Sequence, residues 1–397
     1  MNDQLIARRN IAVLTAAQAL GGASPPIVMS LGGLVGQQLT TDPALATFPV
    51  SLFGLGLALG TVPAALVMRR FGRRTGYLLG AGFGVASGAV AAFGIFSAVF
   101  WIFCFGTFIA GLYGSYVQSY RFAAADAAEG ALKAKAISWV MVGGLVAAVI
   151  GSQLVIGTRD AIPGVPYVGS FLGQAALPLM AVPILLLLRA PPAESPRPGR
   201  RSGRSLIRIL SMPRFILAVA AGVTSYGLMS FVMTAAPLAM IDKGYTVDSI
   251  ALGIQWHLLA MFAPSFFTGR LMTRFGKERV TAVGLALIAV SAIIALSGSE
   301  VVHFWLSLMV LGLGWNFSFI GATAMVTDCY APEERAKAQG ANDFFVFGAT
   351  AGVSFLAGVV LNSEGWHFLN WLVFPPVALI LVPLVWRSAR KPNPGQS

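Results

Sequence analysis

The chain has 397 residues, of which 56% are hydrophobic and 11% charged, with a mean hydropathy of +0.77. Soluble globular proteins sit near about 45 to 50% apolar and about 25% charged, so this composition excludes them and makes lipid the solvent. The net charge of +12 does not indicate a nucleic-acid binder, because the basic residues are dispersed in short clusters between apolar runs rather than gathered on one surface.

Runs of roughly 20 apolar residues recur along nearly the whole chain, and each is long enough to cross a bilayer as a helix. Twelve are expected: 11–37, 46–68, 77–97, 99–121, 136–157, 169–189, 215–241, 250–272, 280–298, 302–327, 339–361 and 366–386. A closed β-barrel would need alternating strands of about ten residues, and these runs are too long and too continuously apolar for that. Arg8-Arg9 and the run behind them are read as the first helix, since the apolar stretch is too long for a secretory signal and eleven more follow.

With a cytoplasmic N-terminus, every Lys and Arg except Arg159 and Lys243 falls in the tails, the even-numbered loops or the helix ends beside them. That alternation agrees with the positive-inside rule and places both termini in the cytoplasm. Residues 190–213 form the longest polar interruption and divide the chain into six-helix units, 1–189 and 214–397. The linker begins Pro-rich and extended, and Ser205 to Leu210 reads as a short basic amphipathic helix at the inner headgroup surface, either in contact with anionic lipid or simply solvated. Cys104 and Cys329 have no partner spacing, so neither a disulfide framework nor a metal site is expected.

The two units repeat each other. Arg70-Phe71-Gly72-Arg73 returns 204 positions later as Arg274-Phe275-Gly276-Lys277. Lys133-Ala134-Lys135-Ala136 returns as Arg335-Ala336-Lys337-Ala338, with Asp126 and Asp328 leading in 202 positions apart. An internal duplication of this kind is the usual architecture of secondary transporters.

On these residues the chain resembles the major facilitator superfamily along its full length. The family's signature between helices 2 and 3, Gly-x-Leu-Ala-Asp-Arg-x-Gly-Arg-Arg, looks like the segment Ala65 to Arg74, and Gly269 to Lys277 is similar in the second unit. The resemblance implies an all-α fold of two six-helix bundles around a central cavity that opens alternately to each side. The signature's Asp is replaced by Arg69, and by Thr273 in the second copy. In the family that Asp helps latch the cytoplasmic side against helix 11, so a latch of reversed sign, Arg69 facing Asp343, is one expectation; a plain topogenic charge is the other. Gly143-Gly144 and Gly151-Ser152 resemble the glycine-rich run of exporters in helix 5, without its proline, and equally suit close helix packing. The Arg early in helix 4 that is typical of drug exporters is absent, with Gly106 and Thr107 in that region.

Polar side chains inside a bilayer are costly, which makes each a candidate for the cavity. On the fourth span Tyr113, Tyr116 and Tyr120 share one helix face and lead into Arg121, an arrangement suited to a planar or anionic solute. The same residues also fit tyrosines packed between helices beside an Arg that snorkels. His257, preceded by Gln255 and Trp256, is the neutral-range titratable group well inside a span, able to carry a proton, bind solute or simply satisfy a carbonyl. Gln18, Gly22, Pro25 and Met29 align on helix 1, and Tyr226, Ser230 and Thr234 on helix 7, while Trp315 and Asn316 stand on helix 10 with Thr323 and Thr327.

The expected solute-binding set is therefore Gln18, Tyr113, Tyr116, Tyr120, Arg121, Tyr226, Ser230, Trp256, His257, Trp315 and Asn316. The expected coupling and gating set is His257, Arg69, Asp126, Asp328 and Asp343. All 15 carboxylates fall in loops, tails or helix ends, so a midplane acid for proton coupling is not visible. No catalytic grouping, cofactor motif or phosphate loop occurs, which leaves a monomeric secondary transporter of a small organic solute, proton-linked, ahead of a transport-inactive sensor, an enzyme or a channel. Aromatic residues with few cations and no deep acid favour a neutral or anionic aromatic solute. An exported antibiotic-like compound and an imported vitamin-like one, such as a flavin, fit this pattern equally.

Overall fold

The computed structural model describes residues 3–127, 131–189, 203–331 and 334–389. Most of the expected linker, residues 190–202, lies outside them, as do the side chains of Lys133 and Lys135. Among the described residues the chain is helical throughout, with no strand: α1 Asp3–Gly21, α2 Ser24–Leu39, a 3-10 turn Pro43–Leu45, α3 Phe48–Phe71, α4 Arg73–Phe96, α5 Phe100–Gln118, α6 Tyr120–Asp126, α7 Ala131–Thr158 and α8 Val168–Leu186. The chain continues as α9 Leu206–Leu210, α10 Pro213–Asp242, α11 Val247–Phe262, α12 Ser265–Phe275, α13 Lys277–Ser297, α14 Val301–Thr327, α15 Arg335–Trp371 and α16 Phe374–Ala389.

Ten helical stretches are long and apolar enough to span a membrane, and α11 with α12, bent by 42°, makes an eleventh. One of the ten, Lys337–Trp386, has 50 residues. At 1.5 Å per residue it would reach roughly 75 Å, over twice a hydrocarbon core of about 30 Å. Gly365, at φ 80°, breaks it into two crossings, so the eleven stretches carry the twelve spans read from the sequence.

Several expected single spans are split, for a local reason. Proline follows each break in spans 1, 8 and 12: Pro25 and Pro26 after Gly22-Ala23, Pro264 after Ala263, Pro375 and Pro376 after Leu372-Val373. A proline ring lacks the N–H that would continue the ladder but is well suited to open a new helix. The duplication has a conformational counterpart: Gly72 at φ 83° and Gly276 at φ 89° occupy the same place in the two repeat loops. Each loop is tied down by a matching ion pair, Arg73 to Asp126 at 2.5 Å and Lys277 to Asp328 at 2.6 Å. Arg214 adds a second contact to Asp328 at 3.3 Å.

Small residues set the packing between spans, as expected where lipid supplies no hydrophobic drive between helices. α3 and α5 cross so closely that a Cβ built on Gly111 would lie 2.1 Å from the Phe53 carbonyl oxygen. Gly143 and Gly151 of α7 meet the backbone carbonyls of Thr15 and Ala23, so part of the glycine run is a seat for span 1; Gly144 instead faces Phe262. The C-terminal part of the linker is clamped by Arg204, which donates to both Glu334 oxygens, at 2.8 and 2.7 Å, and to the Cys329 carbonyl at 2.9 Å. That guanidinium holds the Glu334 carboxyl down to about 2. The helix expected here is the single turn α9, with Ile209 buried and Ile207 exposed.

The parts before and after the linker meet at the end of the molecule opposite the basic loops. There Arg159 pairs with Asp248, Gln153 Nε2 donates to Gln255 Oε1 at 3.0 Å, and Phe48 meets Phe355 edge-on at 5.9 Å. Ile27 and Leu31 of α2 join Leu238 of α10 and Ile250 of α11 in one buried apolar layer behind them. At the basic end, each ion pair formed among the described residues stays within one part or ties the linker to the connection between α14 and α15.

Candidate solute cavity

Between the two parts lies a cavity of about 1200 Å³ of atom-free space, including its open mouth. Gln18, Tyr226, Ser230 and Leu258 of its lining stand on the basic-loop side of the closed layer, since Gln18 precedes Ile27 along span 1, Tyr226 and Ser230 precede Leu238 along α10, and Leu258 follows Ile250 along α11. The polar groups that line it are Gln18, Gln118 and Arg121 from the first unit and Tyr226, Ser230, Thr350 and Ser354 from the second. Between them the wall is apolar and soft, with Met29, Met141, Met229, Met233 and Met261 beside Phe53, Phe262 and Phe347. Thioethers are polarisable and flexible, and they pack well against aromatic rings.

The helix 1 stripe Gln18, Gly22, Pro25 and Met29 lines the cavity, as do Tyr226, Ser230 and Arg121. Arg121 has its Nε without a hydrogen-bond partner among the described residues, and its guanidinium lies 4.8 Å from the Phe122 ring centroid. Asp343 and Tyr226 are the titratable groups that act on it electrostatically. Tyr226 is held edge-on by Trp315, Phe319 and Phe347.

Other expected residues are placed elsewhere, and the reasons are rotational. The tyrosine face of span 4 turns into its own bundle: Tyr120 packs edge-on against Tyr77 at 4.7 Å, Tyr116 packs near Phe83, and Tyr113 sits against Gly21. The cavity takes the neighbouring face, Gly114, Gln118 and Arg121. One residue along a helix is about 100° of rotation, which is enough to exchange the two faces. His257 is likewise one position from the lining residue Leu258; it is fully buried against α14, with Nδ1 2.7 Å from the Leu308 carbonyl oxygen. It does not face the cavity. Trp256 is 41% exposed on the outer surface of α11, where lipid rather than solute would cover it. Trp315 stacks on Phe319 at 5.0 Å and supports the cavity wall from behind.

Asn316 is fully buried, outside the cavity lining, and bonded to protein groups. Its Nδ2 donates to the Met261 carbonyl and to Ser265 Oγ, both at 2.7 Å, and its Oδ1 accepts from Thr268 Oγ1 at 2.6 Å. These three bonds bridge the break between α11 and α12, and one of them satisfies the Met261 carbonyl in the last turn of α11. Asn316→Ala is expected to lower the melting temperature of the detergent-purified protein by several degrees while leaving solute affinity of the folded fraction within about twofold. An unchanged melting temperature with lost affinity would return Asn316 to the binding set.

Of the expected gating residues, Asp126 and Asp328 are engaged with the repeat loops. Asp343 accepts from Asn342 Nδ2 at 3.0 Å, and the cationic side chain whose field reaches it is Arg121. Arg69 is exposed and enters no ion pair among the described residues, so the pairing of Arg69 with Asp343 is not formed in this structure. Sequence reading missed Gln118, Thr350, Ser354 and the methionine wall; the available signals were Gln118 three residues from Arg121 and the Thr350, Ser354 spacing of one helical turn.

The family model described as Major Facilitator Superfamily matches residues 11–264 and 219–397. The riboflavin transporter RfnT of Brucella anthropi is 67% identical over 392 residues, covering 98% of both chains. An uncharacterized MFS-type transporter of Bacillus subtilis, YdeG, is 30% identical over 96% of this chain and 93% of its own. Among solved structures, the human organic anion transporter MFSD10 superposes with a TM-score of 0.71 at 14% identity, covering 95% of this chain and 99% of its own. The nucleoside transporter NupG does so with a TM-score of 0.70 at 16% identity, covering 97% and 100%. Twelve spans, a duplicated basic loop, a cavity between the two parts and these matches lead to one conclusion: the chain is a multi-pass membrane transporter that belongs to the Major Facilitator Superfamily.

Proposed function

We propose that this transporter takes up riboflavin, or a flavin very close to it, across the inner membrane. The observation that carries the reading is the 67% identity over nearly the full length to a protein described as a riboflavin transporter. The cavity supports it chemically: a flat, mostly apolar ring system suits the methionine and phenylalanine wall, and amide, guanidinium and hydroxyl groups on either side suit the polar edge and the polyol chain. Residues 1–189 and 214–397 rock against each other about the 190–213 connector, and the basic end faces the cytoplasm by the positive-inside rule. The cavity then stands on the cytoplasmic side of a closed outer layer, the state from which an importer releases its cargo.

For proton linkage, Asp343 is the carboxylate whose charge acts at the cavity, with Arg121 as its opposite number and Asn342 as its hydrogen-bond donor. Expression in a riboflavin auxotroph without its own importer is expected to restore growth at low external riboflavin and to sensitise cells to a toxic flavin analogue. Protection from the analogue would instead mark an exporter. Neither effect, with the protein present in the membrane, would remove flavins as the cargo.

A further inference from the structure

The polar lining of the cavity is not mixed. The first unit contributes nitrogen-bearing groups, the amides of Gln18 and Gln118 and the guanidinium of Arg121, whereas Ser230, Thr350 and Ser354 of the second unit contribute hydroxyls. These chemistries recognise different things. A primary amide both donates and accepts in one plane, and so matches an imide, whose carbonyl, N–H and carbonyl alternate along one edge. A guanidinium donates only, and suits a pair of acceptors such as a ring nitrogen beside a carbonyl. Hydroxyls rotate to suit a flexible polyol.

The state of each wall agrees with this division. Arg121 Nε has no protein partner among the described residues, so the first unit presents unused donor capacity. On the second unit the hydroxyls are already oriented: Ser230 Oγ and Ser354 Oγ are 2.8 Å apart, Thr234 Oγ1 donates to Ser354 Oγ at 3.4 Å, and Thr350 Oγ1 donates to the Val346 carbonyl at 2.8 Å. Thr350, its hydrogen engaged, offers lone pairs; the serine pair offers one remaining hydrogen and further lone pairs. A row of part-used hydroxyls can serve several hydroxyl groups in series but cannot present the coplanar donor and acceptor that an imide edge needs.

We infer that the two units divide one flavin between them, Gln18, Gln118 and Arg121 reading the pyrimidinedione edge of the ring system and Ser230, Thr350 and Ser354 reading the ribityl chain. The inference rests on the flavin reading above and adds its orientation. It also makes the solute a bridge, because closing the halves requires both ends of one molecule to be engaged.

Three flavins separate the two walls: riboflavin, lumiflavin, which has a methyl group in place of the polyol, and N3-methylriboflavin, whose imide donor is blocked. Binding is read from quenching of flavin fluorescence on the purified full-length protein. The Ser230→Ala, Ser354→Ala double variant and, separately, the shape-conserving Thr350→Val are expected to weaken riboflavin by about tenfold while leaving lumiflavin unchanged, so that lumiflavin binding also reports correct folding. Gln118→Ala is expected to weaken riboflavin and lumiflavin alike and to abolish the preference for riboflavin over its N3-methyl derivative. The inference is overturned if the hydroxyl variants weaken lumiflavin as much as riboflavin, or if Gln118→Ala keeps its preference against the N3-methyl compound. Wild-type protein that binds none of the three flavins overturns the flavin reading itself, a result distinct from a reversed or uniform pattern among variants.

Discussion

Arg121→Gln is expected to lower flavin uptake by about 30- to 100-fold while leaving the melting temperature of the purified protein unchanged or slightly raised. A hydrogen bond from a charged donor contributes about 1.5 to 3 kcal/mol, and loss of about 2 to 2.8 kcal/mol of solute binding corresponds to that range of uptake at limiting solute. The stability half of the expectation follows from the structure. Arg121 makes no ion pair among the described residues, its Nε has no partner, and its contact with Phe122 is local. Removing a cation from a membrane protein's interior relieves a desolvation cost, which offsets the loss of its field at Asp343, a carboxylate that keeps its hydrogen bond from Asn342. Uptake at wild-type level in Arg121→Gln would leave this residue as a topogenic charge alone. A collapse in stability would mean that it holds the two units together rather than the solute.

The second large effect concerns folding. Gly111→Val is expected to prevent accumulation of monodisperse protein, because the new side chain has nowhere to go. The Cβ would lie 2.1 Å from the Phe53 carbonyl oxygen, 2.7 Å from the Leu57 nitrogen and 2.9 Å from the Gly56 Cα. All three are backbone atoms of α3, so relief requires the two helices to separate along their crossing. Overpacking in cores costs about 1 to 3 kcal/mol where side chains can yield, and more where only backbone can move. Gly82→Val on α4, with nothing within 4 Å of its Cβ, is the matched control and should behave as wild type. Size-exclusion profiles and thermal melts of the two variants in the same detergent make the comparison; equal melts would show that α3 and α5 do not cross this closely.

How much of the site was legible can be argued from span 4. Its sequence carries two candidate polar stripes, Tyr113, Tyr116 and Tyr120 on one face and Gln118 with Arg121 on the adjacent one. The tyrosines were the more conspicuous, but large rings with a single hydroxyl pack well between helices, and Tyr77 and Phe83 of α4 supply partners for them. Arg121 stands out in the sequence because a guanidinium inside a span has few alternatives, and in the structure it lines the cavity. For helix 1 the four aligned residues Gln18, Gly22, Pro25 and Met29 all reach the cavity. The other polar side chains there, Asn10, Thr15, Ser24 and Ser30, do not line up at that spacing, so periodicity picked out the stripe.

His257 and Asn316 show the opposite case. Polarity within a span marked both, yet each satisfies a carbonyl that a distant part of the chain presents: Leu308, 51 residues from His257, and Met261, 55 residues from Asn316. A polar residue in lipid must find a partner, and sequence does not say whether that partner is solute or backbone. The repeat loops are intermediate. Their glycines and basic residues are visible in the sequence, while the pairing of Asp126 with Arg73 and of Asp328 with Lys277 is visible only in the fold.

The sequence by itself determined the solvent, the number of crossings, the duplication and the family, because each of these follows from local hydropathy, charge placement and spacing along one chain. Tertiary structure alone decided which face of each span meets the cavity, that Arg159 and Asp248 close one end, and that amides and hydroxyls stand on opposite walls. Those are facts of rotation and relative position, and a turn of 100° per residue allows adjacent residues to face solute, neighbour or lipid with no change in their local pattern.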